Sequence, residues 1–214
     1  STRLRVALVG AGYVATHHLA ALKQLDFVDV VGICDPQLPA AQALADHFGV
    51  KRVAARLDDL ADLQPQAVYV LTPPAFHAAI ALQAMEMGCH VLVEKPMADT
   101  VADCESMIAA ARLRKLQLGV NHSDLFDPVV MQALQAVRDG RIGDVVSVEI
   151  VRNSEYPPYA GGPLPGSVTQ GSYPFRDLGV HGLHDALALR CRVFILEQGP
   201  YQDPDDADKH SWLL

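Results

Sequence analysis

The feature that most restricts this chain is the stretch from Leu4 to Ala15. A short, largely apolar run of strand length, Leu4 to Val9, ends in Gly10-Ala11-Gly12-Tyr13-Val14-Ala15. An apolar-periodic segment with Val14, Leu19, Leu22 and Leu25 follows and predicts a helix. Strand, tight turn and helix are the context in which a G-x-G-x-x-A pattern carries meaning. Gly10 permits the sharp turn, Gly12 leaves the backbone open to an approaching pyrophosphate, and Ala15 lets helix and strand pack closely. The first helical amides, from Tyr13 and Val14 onward, lack partners and sit at the positive end of the helix dipole, so they attract phosphate. A glycine pattern alone is weak evidence, and the rest of the chain tests it.

Further strand signals fall at about 28–34, 67–71, 89–93 and 117–120, as short runs rich in Val, Leu and Ile. Helical patterns at about 13–25, 38–48, 75–87 and 100–115 alternate with them, with a weaker strand near 51–54 and a short helix near 57–62. Such alternation implies right-handed crossovers and a parallel sheet. The runs are apolar throughout, as in strands covered on both faces. Residues 1–121 are therefore expected to form an α/β domain with a doubly wound parallel Rossmann sheet. After that the pattern changes. Residues 128–139 read as an amphipathic helix, 144–152 as a strand with one exposed face, 153–174 as a long Gly/Pro/Ser/Tyr loop, and 175–190 as a helix. The acidic stretch from Gln198 is expected to be irregular.

The 214 residues suit one large or two small domains, and with half of them hydrophobic a substantial core is available. A net charge of −8 without a basic block argues against nucleic acid. No apolar run approaches the length of a membrane span and no signal peptide opens the chain, so no membrane partner is expected. The four cysteines, Cys34, Cys89, Cys104 and Cys191, lie far apart and read as free thiols, with the cytoplasm as the default location.

Several residues stand where chemistry is expected. Asp35 ends the second strand, where a carboxylate accepts hydrogen bonds from an adenosine ribose and repels a 2′-phosphate; Pro36 and Gln37 follow, with no Arg, which favours NAD over NADP. A strand-end Asp in an ordinary turn is the plainer reading. Thr72-Pro73-Pro74 follows the fourth strand at the carboxyl edge of the sheet, where ligands bind, with His77 in the next helical turn; a solvated His at a helix start is the alternative. Glu94-Lys95-Pro96 follows the fifth strand at the same edge. Lys95 there can bond a substrate oxygen, or it can simply snorkel to water. Asp177 and His181 lie four apart, so on a helix they share a face and can work as an acid/base pair. They can equally cap and line a polar helix face. A metal site from His181 and His184 lacks an evident third ligand.

In order and approximate spacing, the Gly10–Ala15 fingerprint, Thr72-Pro73-Pro74 with His77, Glu94-Lys95-Pro96 and Asp177-x-Gly179-x-His181 match one family. Over about residues 3–190 the chain resembles the Gfo/Idh/MocA oxidoreductases, that is, the glucose–fructose oxidoreductase and inositol dehydrogenase family. The resemblance implies an N-terminal Rossmann domain, then an α+β domain with an open, mostly antiparallel sheet, here residues 122–214 and incomplete. It implies oxidation of a sugar or polyol hydroxyl, or the reverse reduction, with NAD or NADP. Lys95 matches the family's active-site Lys, Asp177 and His181 its second catalytic pair with His as proton acceptor, and Asn121 an Asn close to cofactor or substrate. Thr72, Pro73, His77 and Glu94 fall with Lys95 on the cofactor side. The family's second domain also makes dimer contacts, which leaves room for a homo-oligomer.

There are departures. His122-Ser123-Asp124 follows Asn121 where Arg-Phe-x-Pro is frequent, and His184 stands where many members carry Asp. The chain stops where most of the second sheet is expected to begin. Tyr156, with Tyr159 and the Gly161-Gly162 loop, and His184 are candidates for lining a substrate pocket. The expected reaction is hydride transfer between a carbinol carbon and nicotinamide C4. A non-catalytic NAD-binding sensor or scaffold is the alternative.

Overall fold

The structure, a computed structural model, describes residues 3–146. Contacts divide the chain after Asn121 into a first unit, Ser1–Asn121, and a second, His122–Leu214. The first unit carries β1 (Leu4–Val9), α1 (Tyr13–Leu22), β2 (Val28–Cys34), α2 (Leu38–Phe48), β3 (Val53–Ala54), β4 (Ala67–Val70), α3 (His77–Glu86), β5 (His90–Glu94), α4 (Val101–Arg114) and β6 (Leu118–Asn121). Leu57–Leu63 and Pro74–Phe76 are 3₁₀ turns. Every strand pairing among the described residues is parallel, and the order is β3-β2-β1-β4-β5-β6. That is a doubly wound Rossmann sheet, with its order reversing between β1 and β4.

Burial explains the runs seen in the sequence. Val6, Ala7, Leu8, Val68, Val70 and Val93 are fully covered, as strands between two helical layers must be. Ala15, Leu19 and Leu22 put one face of α1 into the core. Helix ends follow local chemistry. Thr100 accepts a bond from the Asp103 amide and starts α4, and Gly49, at φ 67°, closes α2. The differences from expectation are small. α1 stops at Leu22 because the chain turns through Gln24 to Asp26 to reach β2, and two turns expected as α-helix are 3₁₀. β5 and β6 each run one residue further than expected. Glu94 and Asn121 therefore do not follow their strands but end them, as register partners.

Within the second unit, Ser123–Phe126 is a 3₁₀ turn and α5 spans Pro128–Arg138. Asp127 caps α5 by accepting from the Val129 amide, and Leu134 and Val137 are buried. The long loop at 153–174 and the helix at 175–190 lie outside the described residues, as does most of the strand at 144–152. No helix among the described residues is long and apolar enough to cross a membrane.

Gly10 holds the centre of the sheet. Its φ is +105°, and a Cβ built there would lie 2.6 Å from the Leu71 carbonyl oxygen. Both the conformation and the contact exclude a side chain. Gly10→Ala should lower unfolding free energy by roughly 2–5 kcal/mol, adding strain to overlap. Urea denaturation followed by circular dichroism checks this; a wild-type midpoint would refute it.

Candidate functional site

The carboxyl ends of β1, β2, β4, β5 and β6 bring Gly10–Gly12, Asp35, Thr72–Pro73, Glu94–Lys95 and Asn121 to one edge of the first unit. In a doubly wound sheet, ligands occupy the crevice on this edge where strand order reverses. The two fingerprint glycines do different things there. Gly12 is exposed, has φ −77°, which any residue adopts, and nothing lies within 4 Å of a Cβ built on it. Neither backbone geometry nor packing within the described residues explains a glycine at 12. A glycine there leaves the main chain open to an approaching group. Gly12 is also the N-cap of α1 and offers no side chain to the first-turn amides, unlike Thr100 and Asp127 at α4 and α5. Ala15 is fully buried under the turn. Tyr13 is half exposed beside this opening, its ring edge-on to His17 with centroids 4.7 Å apart, and Val14 follows it on the surface.

Asp35 binds the glycine turn itself. Its Oδ2 accepts from the Ala11 amide at 2.8 Å and its Oδ1 from the Gln37 amide at 2.8 Å. A carboxylate has about four acceptor positions, so two ribose hydroxyls remain within its capacity. Next to it, the Cys34 thiol is pushed up to about 11, first by burial and then by the Asp35 charge. It is a core thiol, as are Cys89 and Cys104, both also buried and free.

Thr72 has a buried Oγ1 without a hydrogen-bond partner among the described residues, while Pro73 lies exposed beside it. A buried hydroxyl left open at the crevice fits a polar ligand. His77 departs from the reading of a solvated helix start. It is the first residue of α3 and is fully buried, not solvated. Its Nε2 lies 2.6 Å from the Thr72 carbonyl oxygen and its Nδ1 2.8 Å from that of Pro96. Both ring nitrogens thus face main-chain carbonyls. His77 thereby ties the Thr72 loop to the Lys95–Pro96 loop, whose connecting peptide is cis.

Glu94 is the centre of a network that sequence reasoning did not foresee. Its Oε1 accepts from His18 Nε2 at 2.8 Å and from Asn121 Nδ2 at 2.6 Å, and its Oε2 accepts from the Lys95 amide at 3.2 Å. His18 and Glu94 have side chains only 12% and 13% exposed. Burial alone would raise the Glu94 pKa. The bonds from His18 and Asn121 and the charges of His18 and Lys95 outweigh it and hold the carboxyl below its ordinary value. His18 was legible in principle. It shares the α1 face of Ala15, Leu19 and Leu22, and a polar residue on an apolar face needs a partner. Asp177, His181, Tyr156 and His184 lie outside the described residues.

Comparison with known proteins agrees with this geometry. The family model described as "Oxidoreductase family, NAD-binding Rossmann fold" (GFO_IDH_MocA) matches residues 4–122, and the chain belongs to that family. It is 33% identical to D-glucoside 3-dehydrogenase of Escherichia coli K12, aligning 87% of this chain with 54% of that protein. It is 30% identical to 1,5-anhydro-D-fructose reductase of Ensifer adhaerens over 92% of this chain and 57% of the other. The WlbA dehydrogenase of Bordetella pertussis, solved with NADH and UDP-GlcNAcA, superposes with TM-score 0.63 at 28% identity, covering 67% of this chain and 42% of that one. The chain thus spans about half the length of the curated relatives it matches.

Two outcomes follow. Gly12→Ala should fold as wild type yet bind NADH more weakly, since one methyl in a filled space costs about 1–3 kcal/mol, or about 5- to 150-fold in Kd; fluorescence titration measures it. Because the Glu94 pKa is lowered on folding, its contribution is present above the ordinary carboxyl range, about 4.3, and is lost as pH falls through the folded value. Glu94→Gln should be less stable than wild type by about 1–3 kcal/mol at neutral pH, with the gap closing as pH falls below the ordinary carboxyl range. Denaturant unfolding at several pH values decides; a pH-independent gap would contradict the charge network.

Proposed function

We propose that the chain is the dinucleotide-binding part, with a partial substrate domain from residue 122 onward, of an NAD-dependent dehydrogenase acting on a sugar, polyol or related hydroxyl compound. The observation that carries this reading is Gly12: an open, ordinary-φ glycine at the uncapped start of α1, in a family-matched Rossmann domain. The diphosphate would rest on the amides from Gly12 to Val14, and Asp35 would take the adenosine ribose, favouring NAD over NADP. Thr72, Pro73, Glu94 and Asn121 border the same crevice. Relatives named for glucoside and anhydrofructose chemistry support the substrate class.

NAD, when bound, supplies the acceptor for the hydride leaving the carbinol carbon. The chain's residues handle the oxygen and its proton. His181 takes the hydroxyl proton, Asp177 orients the imidazole, and Lys95 positions the oxygen and stabilises the charge that grows on it. The alcohol thereby loses two electrons as hydride and one proton and becomes a carbonyl. Tyr156 and His184 are proposed to line the substrate pocket. Three buried free thiols fit a reducing compartment, for which the cytoplasm is the proposed location.

NADH fluorescence titration followed by a panel of sugars and polyols tests this. Lys95→Ala and His181→Ala should keep NADH binding and lose about 10²–10⁴ in turnover. Turnover that survives both changes removes these residues from the mechanism, and NADH binding without any turnover favours a non-catalytic sensor.

A further inference from the structure

After Glu94 the chain leaves the β5 ladder, so no strand pairing aims Lys95. The contacts that hold that segment include one on each side of the Lys95–Pro96 peptide. His77 Nδ1 sits on the Pro96 carbonyl, and Glu94 Oε2 takes the Lys95 amide. The Glu94 carboxylate is in turn fixed by Asn121 of β6 and by His18. The two supports differ in origin. Asn121 is the neighbouring residue in register, and its position moves with β5. His18 comes from α1, the helix whose start is the candidate phosphate seat.

α1 is anchored independently of Glu94, by Ala15, Leu19 and Leu22 in the core. The His18 ring is further set edge-on against Tyr69 of β4, with centroids 5.5 Å apart. His18 therefore projects a donor of fixed position from the dinucleotide-binding helix to the residue preceding Lys95. We propose that His18 is a positioning residue: through Glu94 it sets the Lys95 segment relative to α1, so that the phosphate seat and the Lys95 side chain share one spatial reference. This rests on the reading that Lys95 faces a bound nicotinamide dinucleotide. Asn121 lies 3.4 Å from His18 Nε2. Both groups are donors to the same oxygen, so their meeting point is the carboxylate and not each other.

A merely structural His18 would affect stability and leave Lys95 where it is. The experiment therefore reads Lys95 directly. Wild-type full chain, His18→Ala and His18→Gln are trace-acetylated with and without NADH, and the rate at Lys95 is read by peptide mass spectrometry. At NADH near ten times Kd, wild type should be protected at Lys95 about tenfold. His18→Ala should bind NADH with similar affinity and lose most of that protection. His18→Gln, which keeps a donor near the Nε2 position, should restore it. With an active substrate, kcat should fall by about 10²-fold in the alanine variant with little change in KM for NAD, and recover in the glutamine variant. If His18→Ala does not fold, His18→Phe keeps the ring against Tyr69 without the donor and replaces it.

Wild-type protection and kcat in the alanine or phenylalanine variant would overturn the proposal. Wild type in which NADH fails to bind, or leaves Lys95 unprotected, overturns it together with the placement of Lys95. Wild type that protects Lys95 through His18 and oxidises none of the polyols defeats only the dehydrogenase reading.

Discussion

At the centre of the sheet, main chain meets main chain. The carbonyl of Leu71 sits where a side chain at position 10 would have to be, 2.6 Å from its Cβ. The Gly10 amide bonds the Cys34 carbonyl on one side, and the Leu71 amide bonds the Val9 carbonyl on the other. β1 is thus clasped between β2 and β4 up to the residue where the chain turns into α1. Beyond that residue the crossover helices depart to opposite faces, and the crevice opens between them. Any residue with a Cβ at position 10 would force β1 and β4 apart there. The start of α1, the Asp35 carboxylate on the Ala11 amide and the Thr72 loop are all placed by this contact.

The fold was readable because every signal agreed. The apolar runs at 28–34 and 67–71, the glycine turn after β1 and the helical periods between strands point to one parallel sheet, and such consistency is what a funnelled sequence supplies. Element ends were less readable where a turn was 3₁₀ or where pairing extended a strand by one residue, as at Glu94 and Asn121. Those single residues matter, since ending a strand in register places both side chains on the same face. Asp35, Thr72, Glu94 and Lys95 are legible as crevice residues because sheet order assigns strand ends to one edge, and Asn121 through the family resemblance. Histidines are not. His77 looked like a solvated or ligand-facing ring because its two acceptors, Thr72 and Pro96, are carbonyls from two separate loops, and main-chain acceptors leave no trace in sequence. His18 carries no local signal of its role, because its partner lies 76 positions away.

The edge of the sheet is polar at a depth where apolar packing would stabilise at least as well. Buried charged groups cost desolvation, and replacing such a set by well-packed hydrophobic residues is often neutral or stabilising. Glu94, His18 and Asn121 nevertheless fill this position, with one carboxylate oxygen accepting two donors and the other an amide. A network of this kind has one good arrangement, because moving any member leaves a buried donor or acceptor unpaired at about 1–3 kcal/mol. An apolar cluster would tolerate sliding of β5 against α1 by fractions of an ångström. Directional bonds resist it. What the polar set contributes is therefore a fixed relation between three elements, α1, β5 and β6, at the place where the chain stops being a strand and becomes the loop carrying Lys95. His77 repeats the device on the far side of Lys95, where one ring bridges the two loops through their carbonyls. The main chain on either side of the Lys95 side chain is thus fixed by directional bonds, by the His18–Glu94 pair at the Lys95 amide and by His77 at the Pro96 carbonyl.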